Sequence, residues 1–157
     1  MSPATTVIVV VLALVALGLV ALERGGSGPK ELALVATLGA VAAAGRVLFA
    51  PIPGVQPVTL VCLVTGAALG PRAGLAVGPV AARISNTFLG QGAWTPPQMA
   101  LWALAGLTGA ALGPLCRTGW GLAGVGAVWG FLFGWAMNLW SLAVFGPEVG
   151  WAAFTLS

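Results

Sequence analysis

The chain has few of the side chains on which most enzyme chemistry depends. Its 157 residues include no histidine and no tyrosine, and its three acidic residues are the glutamates Glu23, Glu31 and Glu148. All three lie outside the long apolar runs. General acid–base catalysis and metal ligation need such groups within a site. The composition therefore argues against an enzyme, and it predicts neither a metal site nor a cofactor.

Cysteine is also scarce. Cys62 lies in the middle of one apolar run and Cys116 near the end of another, and no CxxC motif is present. Cysteines without such spacing usually behave as small apolar side chains. Both are predicted to be packing residues.

Charged residues make up only 6% of the chain, whereas about a quarter of the residues in a soluble domain are charged. Hydrophobic residues make up 59%, and the mean hydropathy is +1.05. A membrane protein of this length has room for about six spans of roughly 20 residues. The predicted fold is therefore an all-α bundle of about six transmembrane helices in a lipid bilayer, with no nucleic-acid partner.

The apolar runs divide the chain into an N-terminal helix, a linker and a membrane domain. The first run, residues 4–22, is long enough to span a bilayer, and no charged residue precedes it as in the basic start of a signal peptide. We predict a retained transmembrane helix within residues 1–22 and a flexible charged linker at 23–31. Residues 32–157 form the membrane domain, with helices predicted at 32–50, 58–70, 73–90, 99–116 and 121–145.

The charges of the connecting segments predict the orientation. Arg24, Lys30, Arg72 and Arg117 fall on one side of the alternating turns, and the uncharged loops at 51–57 and 91–99 fall on the other. Cytoplasmic loops carry the excess of lysine and arginine, so the first side is predicted to be cytoplasmic. The two uncharged loops and the amino terminus then lie outside.

The longest polar interruption, residues 85–99 (SNTFLGQGAWTPPQM), is predicted to be a binding loop. Irregular backbone in a membrane protein survives only at the water interface or around a cavity. The amides of this stretch offer directional hydrogen bonds without charge, and Trp94 offers a flat apolar face. This combination suits a neutral, partly planar small molecule. An ordinary interfacial loop with a belt tryptophan is the alternative that composition leaves open.

Two arginines interrupt the apolar helices. Arg46 is close enough to a helix end for its side chain to reach the interface, whereas Arg83 lies about two turns inside a helix. A charge within a span costs about 2.5 to 3.5 kcal/mol and normally faces the bundle interior. Arg83 is therefore predicted to form the floor of a pocket. With the outward amides and tryptophans, the candidate substrate-binding residues are Gln56, Arg83, Asn86, Gln91, Trp94, Gln98, Asn138 and Trp140.

A larger pattern resembles a known family. The run GPRAGLAVGPVAARISNTFLGQGAWTPPQMALWALAGLTGAALG, preceded by GRVLF and PIPGVQPVT and followed by FLFGWAMNLW, resembles the substrate-binding (S) component of energy-coupling factor (ECF) vitamin transporters. The nearest branch includes the cobalamin-type S components. The resemblance covers about residues 30–154, and FLGQGAWTPPQM is its most specific piece.

The resemblance implies a subunit of an ABC-type importer in the bacterial cell membrane. Such a subunit binds a vitamin beneath its outer loops and works with a transmembrane coupling subunit and two cytoplasmic ATPase subunits. This chain itself contains no GxxxxGK[ST] phosphate-binding loop. Relative to the family pattern it has one helix more at the front and one fewer at the back, so we expect a divergent or truncated member.

An alanine stripe lies on the first helix of the predicted membrane domain. Ala36, Ala40 and Ala44 are four residues apart on one helical face. Small residues at that spacing let a second helix approach closely. The residues alone leave open a contact within the bundle, because the spacing recurs among glycines elsewhere in the chain. The resemblance implies instead that the coupling subunit docks on this stripe.

Two other functions compete with solute binding. A channel or autonomous secondary carrier would be expected to have membrane-buried acidic residues for its coupling ions, and the apolar runs contain none. A structural helical bundle without a ligand has no such requirement. Only ligand binding separates that bundle from an S component.

Overall fold

The computed structural model describes residues 28–52 and 54–146, together with three isolated positions nearer the amino terminus. Apart from those three positions, the predicted N-terminal helix lies outside the described residues, as do most of the predicted linker and the stretch 147–157. Glu23, Arg24 and Glu148 lie outside them too. What the sequence predicts for those segments stays a prediction.

The described chain is helical, with no strand in residues 28–52 or 54–146. The all-α class is therefore confirmed for this part of the protein. Its helices are α1 Pro29–Phe49, α2 Pro57–Leu69, α3 Pro71–Leu89, α4 Thr95–Ala111, the short α5 Gly113–Cys116, and α6 Gly119–Phe145.

Proline and glycine set the helix boundaries. Pro29, Pro57 and Pro71 open α1, α2 and α3, where a missing N–H costs nothing because first-turn N–H groups have no partner within the helix. Gly70 and Gly90 follow α2 and α3 with φ values of 90° and 102°, a region that glycine adopts without a steric penalty. For α1, α2, α3 and α6, the predicted and observed ends differ by at most three residues.

The largest difference concerns the polar stretch 85–99. The predicted binding loop overlapped the predicted helix at 73–90, and residues 85–89 do form the last turn of α3, while α4 begins at Thr95, four residues before its predicted start. Only residues 90–94 are irregular. Pro96 lies in the first turn of α4, where proline favours a helix start. The polar side chains of this stretch are therefore mostly held on helix ends, not on a flexible loop.

α3 lies at the centre of the bundle and packs against α1, α2 and α4. At its closest crossing, Gly66 of α2, Gly74 of α3 and Gly106 of α4 meet backbone to backbone. A Cβ atom at any of the three would overlap a main-chain atom of a neighbouring helix. Such close approach increases the dispersion contact between the three helices.

α6 is packed more loosely than α3. Of its 27 residues, only Phe133 and Trp140 are buried. The helix contacts α2, α4 and α5, and makes no contact with α1. Most of its apolar surface is therefore left uncovered by the described part of the chain.

The outer surface of the bundle is strongly apolar. Leu48, Phe88 and Phe131 are each more than 70% exposed, while the interior is rich in alanine, glycine and small polar side chains. By length and composition, α1 and α6 are each able to cross a membrane. The six spans predicted from the sequence stay a prediction.

The alanine stripe faces outward. Ala36, Ala40 and Ala44 are all exposed. The stripe is therefore not a helix–helix contact among the described residues. α1 packs on the bundle through a different face, formed by Val35, Gly39, Ala42 and Ala43.

Candidate functional site

A buried polar cluster joins α1 to α3. The Nη1 of Arg46, one turn before the end of α1, donates to the Oγ of Ser85 at 2.6 Å and to the Oδ1 of Asn86. Ser85 and Asn86 are fully buried, and Arg46 is half-buried. Hydrogen bonds from a charged donor are about twice as strong as neutral ones. These two contacts therefore hold the guanidinium firmly against α3.

Asn86 extends the cluster to α4. Its Nδ2 donates to the Oγ1 of Thr95 at 3.0 Å and to the Oε1 of Gln98 at 2.8 Å. The Thr95 hydroxyl in turn donates to the Oε1 of Gln91 at 3.1 Å. Asn86 thus has partners on three sides, which makes it the hub of the network. We call this network the polar cluster; its members are Arg46, Ser85, Asn86, Gln91, Thr95 and Gln98.

An aromatic layer lies one turn further along α4. The Arg46 Cζ is 5.2 Å from the ring centroid of Trp102, which is within range of a cation–π interaction. Trp102 stacks on Phe133 of α6, with ring centroids 4.9 Å apart and planes inclined by 14°. The indole N–H of Trp102 donates to the Oγ1 of Thr59 at 3.2 Å. The two rings therefore connect the polar cluster to α2 and α6.

A cavity of about 450 Å³ lies beyond the aromatic layer, between the start of α2 and the middle of α6. Gln56, Thr59 and Phe133 line it together with the glycine-rich face of α6. Added Cβ atoms at Gly130 and Gly134 would meet nothing within 4 Å, so these glycines border open space. Small-molecule sites typically have volumes of about 300 to 1,000 Å³. The cavity is large enough for a small organic molecule.

The structure brings four of the predicted residues to the same end of the bundle. Asn86, Gln91 and Gln98 belong to the polar cluster, and Gln56 lies in the wall of the cavity. The four amide side chains therefore lie at one end of the bundle, as the alternation of the loops predicted. Asn86 and Gln98 are buried within helices, whereas the prediction placed Gln98 in an exposed loop.

Arg83 does not lie where the sequence analysis placed it. Its side chain is exposed, and the residue contributes only its backbone oxygen, which accepts from the Gln91 Nε2 at 3.2 Å. The buried face of α3 carries small residues such as Gly78, Ala82 and Ser85, and Arg83 lies almost opposite that face. Arg46, expected to reach toward the interface, occupies the inward position instead.

The predicted aromatic residues have different surroundings. Trp94 is 38% exposed as a residue. Its ring lies against Gly92, and its Nε1 donates to the Gly90 oxygen at 3.4 Å. Trp94 therefore packs on its own loop. Trp140 is buried, and its Nε1 has no acceptor in the described part of the chain. Asn138 is half-buried on the same outer portion of α6.

Sequence reasoning missed several residues of the site. Arg46 was assigned to the interface, and Ser85 and Thr95 were not chosen from within the polar stretch 85–99. Thr59, Trp102 and Phe133 around the aromatic layer were not singled out. One signal was available. The small residues of α3 recur every three to four positions, and this periodicity includes Ser85 and Asn86 but excludes Arg83.

Comparison with protein-family models, with curated proteins and with solved structures finds no match for this chain.

Proposed function

We propose that the protein is the membrane-embedded solute-binding subunit of an ECF-type importer for a vitamin or related micronutrient. One observation carries the proposal: a buried polar cluster and a cavity share the Trp102–Phe133 layer at one end of the bundle. Small-molecule sites combine apolar walls with a few well-placed polar groups in this way. A purely structural bundle gains little from an inward arginine, because a charge within a membrane is costly and usually functional.

The cavity size favours a small vitamin. About 450 Å³ accommodates a molecule with one or two small rings, and a corrinoid such as cobalamin is much larger than this. The sequence resembles the cobalamin-type branch most. The size of the cavity among the described residues instead favours a smaller ligand.

Multi-pass residence in the bacterial cell membrane is part of the proposal. It is supported by two helices long and apolar enough to span, and by the exposed leucine, valine and phenylalanine side chains around the bundle. Exposed apolar patches of more than a few hundred Å² are rare on soluble monomers. The described cationic residues at the opposite end, Lys30, Arg72 and Arg117, agree with a cytoplasmic location of that end.

Native mass spectrometry of the gently purified protein tests solute binding. We expect a population that carries one additional small molecule, released by collisional activation. A protein that appears only at its bare mass, in preparations from rich and from minimal medium, would favour the ligand-free structural bundle.

The proposed orientation predicts the labelling of engineered cysteines. A cysteine at Ala93, in the loop between α3 and α4, should react with an impermeant thiol reagent added to whole cells, and one at Thr118 should not. Both positions are exposed, and they lie at opposite ends of α4 and α5. The parent is a suitable control because Cys62 and Cys116 are buried. The reverse labelling pattern would invert the topology.

The exposed alanine stripe is the proposed docking surface for the coupling subunit. Replacing Ala40 by leucine should reduce co-purification with the coupling and ATPase subunits and leave ligand retention unchanged, because the larger side chain prevents close helix approach. Val41→Phe enlarges another exposed position of α1 and is the matched control. Undiminished co-purification of the double variant Ala36→Leu/Ala40→Leu would rule out docking on this face.

A further inference from the structure

Arg46 is a positive charge with no counter-ion among the described residues. Its hydrogen bonds go to the neutral oxygens of Ser85 and Asn86. Within residues 28–52 and 54–146, the sole carboxylate is Glu31, which lies fifteen residues away along α1, or about 22 Å. Charged groups within membrane proteins usually pair with an opposite charge or mark a substrate path. Within the described part of the chain, the charge of Arg46 is solvated by the dipoles of Ser85 and Asn86 and is not neutralised.

The hydrogen-bond directions within the polar cluster follow from Arg46. A guanidinium has only donors, so Asn86 must turn its oxygen toward it. The Asn86 Nδ2 then faces α4 and donates to the Gln98 oxygen, which leaves the Gln98 Nε2 as a donor without an acceptor in the described structure. The Nε and Nη2 of Arg46 are in the same situation. The cluster therefore keeps donor groups on Arg46 and Gln98 for which the described structure shows no acceptor.

The indole N–H of Trp140 is another donor without a partner. Its buried Nε1 lacks an acceptor among the described residues. Trp140 lies seven residues after Phe133, which places it on the same face of α6, about two turns nearer the outer end. A buried donor without a partner costs about 1 to 3 kcal/mol unless an acceptor is supplied. An acceptor-rich ligand would supply it.

We propose that the solute is an organic anion whose carboxylate or phosphate group binds the guanidinium of Arg46, beside the ring of Trp102. This inference rests on the proposed function and narrows its substrate class. It differs from the neutral ligand predicted from the amides of the sequence, because those amides are largely engaged with one another and the unneutralised charge is Arg46.

The test uses a deproteinised metabolite extract, separated on an anion exchanger into a bound and a flow-through fraction. The full-length protein is reconstituted in nanodiscs of phosphatidylcholine alone, and its thermal unfolding is followed by tryptophan fluorescence. We expect the desalted anionic fraction to raise the melting temperature and the flow-through fraction to leave it unchanged.

Three variants test whether the rise in melting temperature depends on Arg46. Arg46→Gln removes the charge and should raise the amount of anionic fraction needed for half of the response at least about tenfold, as for loss of a charged hydrogen-bond donor. Arg83→Gln removes an equally charged but outward-facing arginine, and it should respond like the parent. Asn86→Asp places a carboxylate of the same shape beside Arg46. It should raise the melting temperature without extract and abolish the response, even if Arg46→Gln fails to fold.

The outcomes separate the inference from the proposed function. A response to the flow-through fraction alone, or an equal response from Arg46→Gln and the parent, would overturn the anion assignment while solute binding stands. No response to either fraction would overturn both. A parallel set of nanodiscs containing phosphatidylglycerol identifies a lipid source. If phosphatidylglycerol alone stabilises the protein through Arg46, the bound anion is a lipid headgroup and the assignment to a solute is wrong.

Discussion

Replacing Gly106 by alanine should strongly destabilise the protein. An added Cβ would overlap the main chain of Gly74, and backbone atoms cannot move aside as a flexible side chain can. The helices α3 and α4 would have to separate, which also disturbs the contact of Gly66 with Gly106. Overpacking of a well-packed interior typically costs about 1 to 3 kcal/mol, and a crossing of three backbones belongs at the upper end of this range.

Thermal unfolding in detergent micelles, followed by tryptophan fluorescence, measures the effect. We expect a clearly lower melting temperature and a lower yield of folded Gly106→Ala. Gly124→Ala is the matched control, because it makes the same change in a helix where an added Cβ meets nothing within 4 Å. Alanine is the better helix former by about 1 kcal/mol, so that variant should be as stable as the parent or slightly more. Equal melting temperatures for both variants would show that the three helices do not cross at their glycines.

Replacing Asn86 by alanine should strongly weaken ligand binding. Asn86 is fully buried and connects Arg46 on α1 with Thr95 and Gln98 on α4. Its loss removes one acceptor from a charged group and leaves the Gln98 oxygen without its donor. Each unsatisfied buried group costs about 1 to 3 kcal/mol, and more when the group is charged. We expect ligand affinity to fall about tenfold or more, with a smaller loss of stability.

Calorimetric titration of the purified protein with the ligand identified by mass spectrometry gives the affinity. Thr87→Ala is the matched control, since Thr87 is the next residue, is exposed, and hydrogen-bonds only to the Arg83 oxygen of its own helix. Trp120→Ala provides a second control, because Trp120 is 94% exposed and lies at the opposite end of the bundle. An unchanged affinity for Asn86→Ala would move the site away from the polar cluster.

The polar cluster shows which features the sequence could predict. The end of the bundle at which the amide side chains lie was predictable, whereas the side chains that contact one another were not. Amide side chains were assigned to the outer end by counting turns between apolar runs, and Asn86, Gln91 and Gln98 do lie at one end of the bundle. Which arginine turns inward depends on the packing face of each helix. α3 packs against its neighbours through the face that carries its smallest residues. Arg83 therefore lies on the exposed face, and the Arg46 side chain has space beside Asn86.

The alanine stripe and the glycines also show that a local sequence pattern does not predict its contacts in the structure. Alanines and glycines at four-residue spacing have the same meaning in the sequence, namely that a helix can approach closely. In the structure, Gly66, Gly74 and Gly106 meet one another, the alanines of α1 face outward, and Gly130 and Gly134 border a cavity. Three different surroundings thus arise from one local pattern, because each depends on residues distant in the chain.

By itself, the sequence determined the properties that depend on near neighbours. The apolar composition specified helices with an apolar outer surface. Prolines and glycines determined most helix ends, because capping interactions act within one turn. Tertiary structure alone decided the contacts among Arg46, Asn86 and Trp102, and the cavity between α2 and α6. The physical reason is that these features form where separate helices meet, and the crossing of helices is set by backbone contacts such as that of Gly74 with Gly106.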